Sequence, residues 1–236
     1  DNHNAAGSSS TYRLTSLVDV WETGTRIRGS IGTGFRAPSL AENLFPFGNP
    51  ALRPETNKGW EYGVEQDFAD GLVVVGATYF RNDFRNLILF DLNTFTLLNI
   101  GAGRAHGVEL WSQSLLTDTL RMDASYTRTD TQDSATGLPL VRRPQHKGTL
   151  SFRKSFWCNQ ASTALRGRFI GNRLDARDGS IKLDDYVVWD LTADYYVDRD
   201  FRVFGRIDNL FDEDYEEITG FSARPLALFA GADWVF

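Results

Sequence analysis

The sequence predicts an all-β protein: an antiparallel transmembrane β-barrel segment of about eleven strands. Three observations predict it. Apolar and polar residues alternate with period two through most of the chain, and no sustained 3.6-residue period occurs. Tight turns alternate with long loops along the chain. No run approaches the roughly 18 apolar residues of a spanning helix, and the mean hydropathy is −0.32; alternating strands, however, cross a bilayer with only a weak signal per segment.

In order, the segments are roughly 11–22, 24–36, 57–69, 72–90, 98–116, 118–130, 144–156, 160–173, 185–198, 200–211 and 225–236. The first sets Tyr12, Leu14, Val18 and Val20 against Arg13, Thr15 and Asp19. The second carries glycines from Gly29 to Gly34, and no helix follows them as a phosphate loop requires, so they read as strand bends or loop hinges. In the third, Trp60, Tyr62, Val64 and Phe68 oppose Glu61, Glu65 and Asp67. The pattern returns with Leu120, Met122, Ala124 and Tyr126 against Arg121, Asp123, Ser125 and Thr127. It recurs with Val187, Trp189, Leu191, Ala193 and Tyr195 against Asp190, Thr192 and Asp194, and with Phe201, Val203, Gly205 and Ile207 against Arg202, Arg206 and Asp208. Strands of about ten residues suit a tilted membrane span. The last segment places Leu226, Leu228, Ala230, Ala232, Trp234 and Phe236 on one face. A closing strand with a terminal aromatic resembles the C-terminal signature of bacterial outer-membrane barrels.

Short connections fall at 22–25, 69–71, 117–118, 157–160 and 198–200, and long ones at 37–56, 91–97, 131–143, 174–184 and 212–224. Short periplasmic turns and long extracellular loops describe an outer-membrane barrel, and hairpin-joined strands are antiparallel. An odd number of such strands begins and ends in the same direction and cannot close as even-numbered barrels do. The chain thus reads as half of something. Its opening stretch, Asp1 to Ser10, is polar and reads as a loop entered midway, as in a processed or truncated piece.

Composition narrows the function. With 31 acidic against 25 basic residues among 236, the formal charge is −6, which argues against nucleic acid as a partner. Cys158 is the single cysteine, so no intrachain disulfide holds the fold, and His3, His106 and His146 leave little for a zinc site. No cofactor is implied and no catalytic residue is assigned. The pairs Asp184–Asp185 and Glu216–Glu217 are adjacent and would face opposite sides of a strand. Ser39 or Ser151 with His146 are the only components of a hydrolase, and no spacing brings them together.

Gly32 to Leu40 with Asn49 to Glu55, Phe80 to Asp83, Asn99 to Glu109, Arg142 to His146 and, most specifically, Asn209 to Tyr215 form a series of stretches that resembles TonB-dependent outer-membrane receptors. The resemblance implies half of a barrel of about 22 strands with a plug, residues 1–236 forming its C-terminal part. It places the chain in the bacterial outer membrane. The implied partners are the missing N-terminal barrel half and plug, a TonB-type energy-coupling complex, outer-membrane lipid and a small-molecule ligand. The plug, the energy-coupling box and the first barrel half are absent from this sequence. Within the family, Arg81 to Asp83, Leu140 to Arg143, Gly171 to Arg173 and Asp212 to Phe221 look most similar to vitamin B12 (cobalamin) receptors, which implies uptake of a corrinoid. The alternative in the same family is a ferric siderophore, and the alternative from another class is a passive pore or structural barrel. Calcium-binding aspartates of cobalamin receptors lie on early loops that this chain lacks, so no metal site carries over.

The expected ligand-binding residues are Arg142, Arg143, Arg173, Tyr215 and Phe221. Arginines at a strand's loop end suit amide or phosphate groups, with Arg142 at the rim and Arg143 toward the lumen. The competing reading of that pair is a lumen arginine held by a neighbouring carboxylate. Tyr215 and Phe221 offer ring contact area. Arg36, beside Pro38, reads as a loop-fixing residue, and Asn209 to Tyr215 as architecture at a strand end. Trp21, Trp60, Trp111, Trp157, Trp189 and Trp234 are expected as interfacial anchors.

Overall fold

The computed structural model describes residues 2–3, 7–8, 10–91 and 94–235; the terminal aromatic Phe236 lies outside them. Eleven strands form one sheet: β1 (Arg13–Val20), β2 (Thr25–Arg36), β3 (Glu55–Phe68), β4 (Val73–Arg85), β5 (Ala102–Thr117), β6 (Leu120–Asp133), β7 (His146–Phe156), β8 (Ala161–Ile170), β9 (Tyr186–Tyr196), β10 (Phe201–Asp208) and β11 (Ala227–Trp234). Each pairs antiparallel with its neighbours in sequence, from β1 at one edge to β11 at the other. Strand number, order and direction agree with the alternation in the sequence.

The register separates two faces. One cross-strand row joins Ile27, Val64, Ala77, Leu110 and Tyr126, and the alternate row joins Arg26, Glu65, Gly76, Trp111, Ser125, Thr149 and Arg168. The polar face is laced by pairs such as Arg28–Glu65 at 3.0 Å, Arg121–Asp123 at 2.9 Å and Arg206–Asp208 at 2.9 Å, with Arg202 bridging Asp194 and Asp233. Large apolar side chains on the other face, among them Leu14, Ile27, Tyr62, Leu110 and Leu228, stay exposed. A single sheet has no second layer to cover them. The buried apolar side chains instead gather where the long loops fold over the strand ends, with Leu140, Ala176, Leu183, Tyr186 and Val188 among them.

Three expectations need correction. The segments 72–90 and 98–116 overrun the sheet: Asn86 (φ 56°) and Gly101 (φ 91°) turn the chain away, and Ile88–Asp91 pairs with Thr96–Asn99 as a separate ribbon. The left-handed backbone at these two positions ends a strand even where apolar residues continue. Second, one helical turn does occur, α1 (Leu40–Leu44), capped by Ser39. Third, Trp111 is no interfacial anchor. It lies on the polar face, where its ring covers Gly76 so closely that a Cβ there would sit 2.3 Å from it.

Candidate functional site

All five long connections lie at one end of the sheet, and side chains at their bases tie them into two bodies. In the first, Arg36 at the end of β2 reaches Glu55 across the hairpin at 2.7 Å and Glu42 of α1 at 3.0 Å. Ser39 and Glu42 exchange side-chain to backbone hydrogen bonds as a capping box. Burial pushes the Glu42 carboxyl up, but the Ser39 backbone N–H and the Arg36 guanidinium outweigh it and hold the group below its ordinary value. The loop then docks on its neighbour. Asn49 Nδ2 donates to the Leu97 carbonyl at 3.0 Å, Arg53 N donates to Asn99 Oδ1 at 2.7 Å, and Leu97 N donates to the Phe47 carbonyl at 3.0 Å. Phe47, Phe90 and Phe95 meet above these bonds with ring centroids 5.9–6.2 Å apart. All three remain exposed.

The second body joins the loops after β6, β8 and β10. Arg142 Nε donates to Asp175 Oδ1 at 2.5 Å, and its backbone N–H donates to the Leu174 carbonyl at 2.7 Å. The other Asp175 oxygen accepts from Thr219 N at 3.0 Å, so one carboxylate holds all three loops. Its side chain is only 5% exposed. Burial pushes that carboxyl up, yet the Arg142 side chain and the Thr219 backbone outweigh it and hold it below the ordinary aspartate value. Arg177 reaches back to the buried Asp133 at 2.7 Å. Arg173 donates to the Glu216 carbonyl at 2.7 Å and the Asp184 carbonyl at 3.3 Å, and its guanidinium lies 5.4 Å from the Tyr186 ring. Tyr186 in turn stacks on Tyr215 at 4.1 Å.

The expected ligand-binding residues therefore have different surroundings. Arg142 is bound to Asp175, in a left-handed backbone conformation (φ 55°). Arg143 is exposed and makes no ion pair or hydrogen bond among the described residues. Arg173 is buried and Tyr215 half-buried in one stack, both joined through Tyr186. Phe221 is 71% exposed on the ribbon Glu216–Ile218 with Phe221–Ser222. Sequence reasoning missed Asp175, Tyr186 and the phenylalanine cluster. Only the last had a signal: Phe47 and Phe95 are apolar residues inside long, non-alternating connections.

Asn209 is architectural, as its position at a strand end suggests. It is 3% exposed, its Oδ1 accepts from Glu213 N at 2.8 Å, and its Nδ2 donates to the carbonyls of Glu213 and Arg224. Arg36 also fixes its loop, through the two ion pairs above. The hydrolase components do not converge: Ser39 caps α1, while Ser151 and His146 fall on opposite faces of β7. Among the described residues, no group of three His, Cys, Asp or Glu side chains is placed to hold a metal ion. The loop end can offer rings, guanidinium groups and backbone polar groups to a bulky ligand.

Comparisons with known proteins agree with this architecture. A family profile described as "TonB dependent receptor-like, beta-barrel" matches residues 1–210. Among solved structures, the copper transporter OprC superposes with a TM-score of 0.79 at 20% identity, over 95% of this chain and 38% of its own. A mutant of the ferric enterobactin receptor PfeA from Pseudomonas aeruginosa gives 0.78 at 18% identity, over 100% of this chain and 41% of its own. The siderophore receptor PiuA from Acinetobacter baumannii gives 0.74 at 19%, over 95% and 35%. At such identities the likeness shows the fold, and this chain spans about two-fifths or less of those lengths. Its apolar face is the lipid face of an outer-membrane barrel and its charged face the lumen wall. The chain belongs to the TonB-dependent receptor β-barrel family.

Proposed function

We propose that this chain supplies the C-terminal half of the barrel wall, and half of the extracellular loop surface, of an energy-coupled uptake receptor for a scarce, bulky metal chelate, in first place a ferric siderophore. The observation that carries this reading is the loop end itself. The five loops are tied at their bases into two bodies, and one of them displays the exposed Phe47–Phe90–Phe95 cluster. A rigid, partly aromatic surface suits a flat or aromatic chelate, because rings bury large contact area at low entropic cost. The names of the structural relatives, two siderophore receptors and a copper transporter among them, support a metal-bearing ligand.

The corrinoid reading has less support. None of the relatives reported above is named for cobalamin, and the stretches that suggested it do other work here. Arg81 and Asp83 lie on the lipid side of β4, and Arg173 is spent on backbone carbonyls. Within the ferric-chelate reading, Arg143 and Phe221 contact the ligand, while Arg142, Arg173 and Tyr215 position the loops that carry them. An N-terminal barrel half with a plug, and a TonB-type complex in the inner membrane, complete the machine. The family transports rather than catalyses, so no reaction is assigned.

The test is binding by the whole receptor to a ferric catecholate, a ferric hydroxamate and cobalamin, followed by uptake with and without energy coupling. Saturable binding of a ferric chelate, weakened about tenfold by Phe47→Ala on the basis of one lost ring contact, is the expected result. Binding of cobalamin alone would restore the corrinoid reading. Ion conductance without saturable binding would favour a passive pore.

A further inference from the structure

The lumen face of the sheet is not uniform in sign. On β3, β4 and β5 it carries Glu55, Glu61, Glu65, Asp67 and Glu109 and no cation. On β7 and β8 it carries Lys147, Arg153, Arg166 and Arg168 and no carboxylate. Around this basic stretch, in the half of the wall nearer the short turns, the surface sinks into a hollow of about 740 Å³. Its floor is made of short side chains, Ser125, Thr149, Ser151, Ala164 and Thr192, on adjacent strands of one face. Ser125 and Thr149 join their hydroxyls at 2.7 Å. Trp111, Arg153, Arg166 and Arg206 stand around that floor. The depth is a matter of residue size: the long side chains rise directly beside the short ones in the register.

The charges bordering the hollow are unequally engaged. Asp123 is taken by Arg121, whose Nε and Nη2 donate to it at 2.9–3.1 Å. Asp208 pairs with Arg206 at 2.9 Å. Arg166 stands opposite Asp190 in the register, yet that carboxylate accepts from Asn209 N at 3.0 Å and faces Arg168 at 3.6 Å. Arg153 stands opposite Arg121, a like charge. Arg153 and Arg166 are exposed and make no ion pair or hydrogen bond among the described residues, and the hydroxyls of Ser151 and Thr192 are equally without a partner there. Nearer the loops, Arg168 Nε is buried without an acceptor. Every carboxylate at the hollow is engaged, while two guanidinium groups and two hydroxyls are free.

We infer that this hollow is a transit site for the anionic oxygen atoms, catecholate or carboxylate, of the transported metal chelate, an assignment that rests on the uptake reading above. Its volume is that of a small-molecule site. A guanidinium fork matches a pair of such oxygens, and the hydroxyls of Ser151 and Thr192 donate beside it. Exposed cations hold an anion loosely, and a stop on a route must release what it takes. A floor of hydroxyls and one alanine offers little apolar area, so it suits a hydrated passenger better than a permanently packed protein segment. Lys147, exposed on the same face, stands between the hollow and the loops, and the acidic stretch of β3 to β5 turns an anion toward this side.

The whole receptor serves for the test, purified in mild detergent for binding and left in the outer membrane for uptake. Calorimetric titration with citrate, a small tricarboxylate, reads the hollow directly, with its uncharged triethyl ester as control. Citrate is expected to bind and the ester not. Arg153→Gln/Arg166→Gln should weaken citrate about tenfold, and Arg153→Lys/Arg166→Lys, which keeps the charge without the fork, should weaken it less. In membranes, the Gln pair should leave loop binding of a ferric catecholate within about twofold and lower its energised uptake about fivefold. The outward-facing pair Lys58→Gln/Arg85→Gln should change none of these. Absent citrate binding, or binding equal in wild type and the Gln pair, would overturn the site, and unchanged uptake would overturn its place on the route. Leakage of small solutes through the Gln pair without energy coupling would show that a carboxylate of a lumen segment sits there, and would overturn it as well. If the receptor takes up no ferric chelate while citrate binding still falls in the Gln pair, the uptake reading fails and the anion site stands.

Discussion

Asp175 accepts one hydrogen bond from the Arg142 side chain and another from the backbone of Thr219, with almost no access to water itself. Replacing it by Asn removes the charge and leaves partners under-satisfied. The expected loss is about 1–3 kcal/mol of local loop stability, toward the low end because Arg142 is itself half exposed. Faster limited proteolysis within 134–145 and 209–226, with the barrel intact, would register it. The sign of the pH effect follows from the lowered carboxyl. Its contribution is complete above the unfolded aspartate value of about 4, and is lost as pH falls through the still lower folded value. Protease sensitivity of these loops should therefore stay flat from neutral pH to about pH 5 and rise in stronger acid; a flat profile in Asp175→Asn checks the assignment. Neighbouring residues diverge in the same way. Arg143→Ala and Phe221→Ala should weaken ligand binding and leave proteolysis unchanged, whereas Arg142→Ala and Arg173→Ala should loosen the loops first. Read from sequence, Arg142 at the rim and Arg143 toward the lumen share one expected role in ligand binding. What distinguishes them is a left-handed backbone at Arg142 and a carboxylate in another loop, and neither leaves a local pattern.

Strands were legible because alternation is a local signal repeated at every second residue. Their ends were less so. Apolar residues Ile88, Leu89, Leu97 and Leu98 continue the pattern past β4 and before β5, and only the turns at Asn86 and Gly101 divert them into a ribbon. The single turn of α1 is too short for a period to show, though Ser39 and Glu42 stand at capping-box spacing. Ser39→Ala should cost about 1 kcal/mol at that turn, seen as faster amide exchange in residues 40–44. Trp111 was misplaced by its residue type although parity with Glu109 and Gln113 already assigned it to the polar face. Its ring fills the gap over Gly76, which makes that glycine a packing residue of the sheet. Gly76→Val should displace the indole and destabilise the barrel by about 1–3 kcal/mol, read as a lower temperature of heat-modifiable migration; an unchanged temperature would show that the ring has room to move.

At the scale of the molecule, the sheet ends in β1 and β11, which run the same way because eleven antiparallel strands separate into unequal sets of six and five. Two copies joined edge to edge would meet in parallel seams, unlike every other pairing in the sheet. We expect a stable barrel to contain further strands covering both edges, supplied by an N-terminal half. Intact mass measured natively and after denaturation would check this: a larger chain, or a 26.6 kDa chain held by a second fragment, is expected. A monodisperse closed barrel of one such chain would contradict it.

The loop locks also set what can be exchanged between relatives. The loops after β6, β8 and β10 share Asp175, Arg173 and the Asp133–Arg177 pair, so they form one inheritable cassette and not three independent parts. Grafting residues 209–226 alone from another receptor would strip Asp175 and Arg173 of partners in the recipient and leave a chimera with a collapsed crown. Moving 134–145, 171–185 and 209–226 together would carry the joints along with the surface. Ligand preference in such chimeras should transfer by sets of loops that touch, with the Phe47 body and the Asp175 body as the two natural units of exchange.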